Sequence, residues 1–328
     1  MRVNLYSDTQ TRPTEGMRRA MAEAEVGDEQ RGLDPTVTLL QERVADLLGH
    51  ERGLFLPSGT MCNAIAFRLH VRPGGDEVIL DRTSHPIVAE AGGPAFLSGA
   101  MLAEVDGDGG RFTAAQVEAA IRQPDRYLPR TRLVSVEQTT NLAGGRVWPL
   151  EQLDAVLATA RAHGLRAHLD GARLLNAVVA SGVKASRYAS GFDSAWLDFS
   201  KGLGAPVGAV LCGSGELIEE AWRYKQMWGG ALRQGGVLAA ACLYALDHHV
   251  ERLAEDHENA KLLAEGLGVE EPETNIVIAE LPDAGERKAR LVEQGVEASV
   301  IAPGRLRFVT HLDVDRAGVE HAVRAFAA

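Results

Sequence analysis

The sequence predicts an α/β protein: a mainly parallel sheet with covering helices, followed by a smaller α+β unit. Three observations predict it. Short apolar runs alternate with helical patterns from about residue 36 to residue 240, most of these runs are continuous rather than alternating, and the pattern changes character after Gln234. A continuous apolar strand is one covered on both faces, as in parallel sheets flanked by helices.

Taken in order, the strand candidates are residues 53–57, 77–80, 132–137, 165–169, 195–199 and 208–212. Helical patterns lie between many of them. Leu153, Val156, Leu157 and Ala160 recur with helical spacing and share one face before Gly164 ends the helix. From Gln234 one long helical pattern runs through Leu238, Leu243, Leu246 and Val250 towards Leu267. A strand at 275–279, a helix at 287–294, paired strands at 299–301 and 306–309 and a last helix at 316–327 complete the chain. The expected division is a large domain over residues 1–240 and a small one over 241–328, with no repeat, low-complexity tract or long linker.

Composition narrows the function. A formal charge of −11 over 328 residues argues against nucleic acid or an anionic membrane as partner. Cys62, Cys212 and Cys242 are too few and too scattered for a disulfide framework or a zinc site, and read as buried thiols in a reducing compartment. His248, His249 and Glu251 are a weak metal signal without a cysteine, and no metal is expected. The N-terminus has no signal-peptide core, and no run reaches the ~18 apolar residues of a membrane helix. The expectation is a soluble, cytoplasmic protein.

The chemistry is concentrated at strand ends. Ser200, Lys201 and Gly202 follow the apolar run 195–199, and glycines follow in turn. A lysine there is either a surface residue or an amine in an apolar setting, where desolvation frees it for Schiff-base chemistry. Asp170 ends another strand, where it either caps the next helix or faces the same crevice, and Arg173 is placed to fork a carboxylate. Ser58, Gly59 and Thr60 open an apolar helix, as an ordinary cap or as a phosphate site made of backbone N–H groups. The segment lacks the Gly-Lys-Ser/Thr ending of a nucleotide-triphosphate loop, and Gly202 with Gly204 does not complete a dinucleotide fingerprint. His85 follows a strand end and is either structural or able to stack on a ring and move protons. A lysine and a carboxylate so placed are the groups pyridoxal phosphate needs most.

Together, segments 7–13, 27–36, 58–61, 167–173, 200–208, 227–234 and 307–313 resemble the low-specificity L-threonine aldolase family in the family's own order. The resemblance implies the fold of the aspartate-aminotransferase type (fold type I) and pyridoxal 5′-phosphate as cofactor. It implies Lys201 as the Schiff-base lysine, Asp170 as partner of the pyridine nitrogen and His85 as the imidazole stacked on the ring. Ser58, Gly59, Thr60 and Ser200 match the phosphate-holding positions, and Arg233 the position that reaches a neighbouring subunit's phosphate. Ser7, Arg173 and Arg307 match the positions holding the substrate's α-carboxylate. A tetramer built from dimers with shared active sites is implied as well.

Three departures fall on the substrate side. Thr140 stands where the family usually has a histidine facing the β-hydroxyl, Arg31 replaces a tyrosine, and Gln226 replaces a lysine, with Lys225 adjacent. Threonine keeps a hydrogen bond there but is no general base near neutral pH. The implied reaction is retro-aldol cleavage of an L-β-hydroxy-α-amino acid to glycine and an aldehyde, with His85 or a water taking the hydroxyl proton. β-Elimination, racemisation or transamination at the same site is the alternative, and a non-catalytic binding protein of this fold a remoter one.

Overall fold

The computed structural model describes residues 2–71 and 75–328. A two-residue strand β1 (Val3–Asn4) precedes the central sheet, which contains β2 (Arg52–Leu56), β3 (Glu77–Asp81), β4 (Met101–Val105), β5 (Thr131–Glu137), β6 (Arg166–Gly171), β7 (Ser194–Asp198) and β8 (Ala209–Gly213). Its order is β2-β8-β7-β6-β5-β3-β4, and β8 alone runs antiparallel to its neighbours. β3, β7 and β8 are buried along their whole length, as their continuous Val, Ile, Leu and Ala content predicts. The edge strand β4 escapes the apolar-run criterion because Met101 and Glu104 are exposed.

The C-terminal part adds β9 (Ile276–Glu280), β10 (Val296–Glu297), β11 (Ser299–Ala302) and β12 (Arg305–Val309), with β11-β12-β9 forming an antiparallel sheet. β10 pairs with β1 in parallel, so the start of the chain joins this part. Val3 and Leu5 share a core with Leu263, Val277, Phe308 and Val319. The long helical pattern expected from Gln234 is two helices, Gly236–His248 and Leu253–Leu267. The break falls where His249 Nδ1 bonds the Leu203 carbonyl at 2.7 Å, tying the chain to the glycine-rich loop after β7. Helix Gly236–His248 supplies Ala239, Ala241 and Ala245 to the main core.

The carboxyl ends of β3, β5, β6 and β7 open on one edge of the sheet, together with the turn after β2. Crevices at such edges are where ligands bind in α/β sheets. Asp34 caps helix Pro35–Leu48 at Val37 N (3.0 Å) and also accepts from Gly27 N and Gly236 N, which pins the 27–36 segment to the body.

Candidate active site

Lys201 lies three residues beyond Asp198 at the end of β7. Its Nζ donates to Asp198 Oδ2 at 2.6 Å, and Ser200 Oγ donates to Asp198 Oδ1 at 3.0 Å. The slot is therefore not the apolar one expected: a buried carboxylate waits in it for the amine. The Lys201 ammonium also sits 5.8 Å from the centre of the Trp196 ring.

Asp170 at the end of β6 is the register partner of Glu137 on β5, so both carboxyls leave the same face of the sheet. Asp170 accepts from Asn63 Nδ2 at 2.8 Å and from Ala172 N at 3.0 Å, which makes it both a turn-former and a crevice residue. Burial raises the Asp170 pKa, against the Asn63 hydrogen bond and the charges of His85 and Lys201. Glu137 is pushed up to about 8, chiefly by burial, with the Asn141 backbone N–H opposing. Two adjacent carboxyls in unequal environments divide into an ion and an acid. Asp170, whose carboxylate accepts two hydrogen bonds to Glu137's one, is the one favoured to ionise.

His85 opens the short helix His85–Val88 after β3, and its Nδ1 lies 2.9 Å from Glu90 Oε1. That bond is the main reason its pKa is raised, against burial. A carboxylate only accepts, so Nδ1 carries the proton and Nε2 is left for the crevice.

Ser58 caps helix Gly59–His70 by accepting from Met61 N at 3.2 Å, with Gly59 and Thr60 in the first turn. A Cβ on Gly59 would lie 2.2 Å from the Trp196 ring, so only glycine lets this turn sit on the indole. At Gly171 a Cβ would meet the Trp196 carbonyl at 1.9 Å. The helix start and the strand end are thus packed directly on the β7 backbone and side chain that lead to Lys201.

Arg173 departs from the expected open guanidinium. Its Nε and Nη2 clasp Asp8 at 2.7 and 2.6 Å, both groups being buried, and Nη1 takes no partner among the described residues. Ser7 is buried beside it, with Oγ accepting from Thr9 N at 3.3 Å. Arg307 reaches in from β12, with Nη1 on Asn141 Oδ1 (2.7 Å) and Nη2 on the Tyr6 carbonyl (3.3 Å). Burial and the neighbouring Arg173 charge bring the Arg307 pKa down to about 10. The Arg173 charge disfavours that of Arg307, and an anion bound between the two guanidiniums would relieve it.

The remaining residues lie off this cluster or are committed elsewhere. Thr140 is buried, its Oγ1 accepting from Arg146 N at 3.1 Å, so its hydroxyl braces a turn. Arg31 is exposed in the turn Glu29–Arg31, and Gln226 is exposed as well. Lys225 points inward and pairs with buried Glu29, so it does not stand in for the replaced lysine. Arg233 is exposed, with Asp28 Oδ2 at 3.3 Å from Nη1. Sequence reasoning passed over Asp8, Asn63, Glu90, Asp198 and Asn141. Each acts through another side chain, and only Glu90, five residues past His85, and Asp198, three before Lys201, stood close enough to draw notice.

The amine, the buried carboxylate, the helix start and the paired guanidiniums form a donor set that pyridoxal phosphate and an amino acid fit. The beta-eliminating lyase family matches residues 4–281. A probable low-specificity L-threonine aldolase of Arabidopsis thaliana is 41% identical, over 99% of this chain and 96% of its own. A low-specificity L-threonine aldolase of Escherichia coli K12 is 40% identical, over 96% and 95%. Among solved structures, the threonine aldolase of Leishmania major superposes with a TM-score of 0.86 at 20% identity, covering 99% of this chain and 98% of that one, a likeness of fold. The chain belongs to the beta-eliminating lyase family and is a pyridoxal-phosphate-dependent lyase of its L-threonine aldolase group.

Proposed function

We propose that this enzyme cleaves L-β-hydroxy-α-amino acids of the threonine and allo-threonine type to glycine and an aldehyde. What carries this reading is the meeting of Lys201, Asp170 and His85 with two neighbouring guanidiniums at one sheet edge. When bound, pyridoxal phosphate supplies an aldehyde for the substrate amine and a ring that takes up the electron pair of the breaking Cα–Cβ bond.

The chain's own residues do the rest. Lys201 Nζ is the amine that holds the cofactor and afterwards returns a proton to Cα, and Asp198 keeps it at the mouth of β7. Asp170, kept anionic by its donors, holds a proton on the pyridine nitrogen. The first turn at Ser58, Gly59 and Thr60, with Ser200, cradles the phosphate. Arg307, Arg173 Nη1 and Ser7 grip the α-carboxylate and so orient the Cα–Cβ bond. His85 Nε2 takes the β-hydroxyl proton, since the Thr140 hydroxyl is no base near neutral pH.

The reading extends to assembly and place: a cytoplasmic homotetramer with shared sites, in which exposed Arg233 reaches a neighbour's phosphate. The cofactor domain is the expected 1–240 unit without β1 and with the whole of helix Gly236–His248, and the small domain, β1 with the chain beyond that helix, brings Arg307. No described helix is long and apolar enough to cross a membrane. The test is a panel of threonine, allo-threonine and phenylserine assayed for glycine release. Equimolar glycine and aldehyde are expected. Racemised substrate, a keto acid from β-elimination, or pyridoxamine phosphate formed without glycine would replace the reading with one of its alternatives.

A further inference from the structure

Asn63 sits on the buried side of helix Gly59–His70 and is 1% exposed. All four hydrogen-bonding positions of its amide are filled. Nδ2 donates to Asp170 Oδ2 and to Glu90 Oε1, both at 2.8 Å, while Oδ1 meets Trp196 Nε1 at 2.8 Å and His168 Nε2 at 3.1 Å. An indole nitrogen only donates, so the amide oxygen must face Trp196 and the NH2 must face the two carboxylates. The same reasoning fixes His168: Nε2 carries its proton, and Nδ1 accepts from Ser194 Oγ at 2.7 Å. The serine oxygen in turn accepts from His70 Nε2 at 2.7 Å. Burial, with the nearby His70, keeps His168 neutral, as this arrangement requires. Every proton from His70 to Asp170 thus has an assigned side.

We propose that Asn63 is the positioning residue that joins Asp170 and His85 into one unit, its NH2 bridging Asp170 to Glu90, which holds His85 Nδ1. Without that NH2, two buried carboxylates face each other with nothing between them. Asp170 would then take up a proton or turn away, and in either case lose its hold on the cofactor's ring nitrogen. Asn63 touches none of the reacting atoms. Its influence passes through two residues that do, and Trp196 and His168 lock its orientation from behind. The inference rests on the cofactor lying against Asp170 and His85.

Asn63→Asp separates this role from simple packing, because it keeps the side-chain shape and the oxygen facing Trp196 and His168 but puts an oxygen where the NH2 stood, so that a third buried carboxylate or a single O–H replaces the two N–H bonds to Asp170 and Glu90. The experiment is an absorbance titration of apoprotein with pyridoxal phosphate for the wild type, Asn63→Asp, His85→Asn and the double variant. Asn63→Asp is expected to raise the dissociation constant at least about tenfold with circular dichroism unchanged. The effect of His85→Asn should shrink by at least about threefold in the Asn63→Asp background, since both act through Glu90. A wild-type dissociation constant in Asn63→Asp, or additive effects, overturns the inference. If Asn63→Asp does not fold, a cycle of Glu90→Gln with Asp170→Asn reads the bridge from its two ends, and additivity there overturns it equally. A wild type that takes up no pyridoxal phosphate overturns the cofactor reading and this inference together. A normal wild type with an unaltered Asn63→Asp overturns this inference alone.

Discussion

Asp8→Ala strands the Arg173 guanidinium in a place with almost no water. Asp8 and Arg173 have 0% and 3% of their side chains exposed and are joined by bonds of 2.6 and 2.7 Å. Burial alone would lift the Asp8 pKa, but the Arg173 fork overrides it and holds the carboxyl below the ordinary range, helped by Lys201 and Asn275. Breaking one side of such a pair costs about 3–5 kcal/mol, because a buried charge is left uncompensated. The Asn275 Nδ2 contact to Asp8 at 3.2 Å is lost as well. The expected fall in melting temperature is roughly 5–15 °C. A carboxyl whose pKa is depressed on folding stabilises above its unfolded value and loses that contribution as pH falls through the folded one. The gap between wild type and Asp8→Ala should therefore be constant near neutral pH and close only in strong acid. Urea denaturation of the apoprotein at several pH values measures it. KM for the amino acid should rise more than kcat falls, because Arg173 is no longer aimed. A loss under about 1 kcal/mol near neutral pH would refute the claim that this pair organises the carboxylate side of the site.

Further outcomes follow from the other contacts. His85 acts in its neutral form and its pKa is raised by Glu90, so kcat/KM should fall on the acid side through a group above the usual histidine value; Glu90→Gln should move that limb to lower pH, and an unmoved limb contradicts the assignment. Gly59→Ala drives a methyl to within 2.2 Å of the Trp196 ring and should cost about 1–3 kcal/mol in unfolding experiments while weakening pyridoxal phosphate binding. Thr140→His should not gain rate: the site is buried, its hydroxyl is on Arg146 N and Gly110 abuts its methyl, so overpacking of about 1–3 kcal/mol is expected in a melt.

Much of this was legible in the sequence because strands buried on both faces announce themselves as apolar runs, and a run that ends on Asp170 or shortly before Lys201 brings the chemistry with it. β4 was not legible because it is a half-exposed edge whose apolar run stops at Glu104, one residue before its end. The break between helices Gly236–His248 and Leu253–Leu267 depends on a tertiary bond from His249 to Leu203, which local periodicity does not contain. In the site, the residues read were those that meet ligand directly. Those missed, such as Asp8 and Asn63, lie 165 and 107 positions from the groups they orient and look like unremarkable polar residues until the chain folds. Arg173 shows the same limit in reverse: its type was readable, its commitment to Asp8 was not.

The central claim, that Lys201 carries the cofactor opposite Asp170, is tested most directly by reducing the cofactor-loaded enzyme with borohydride and mapping the modified peptide by mass spectrometry. The account expects the cofactor's mass on Lys201, and no fixed cofactor in Lys201→Ala. A label on Lys184 or Lys225, or an unlabelled protein that still releases glycine, would contradict it.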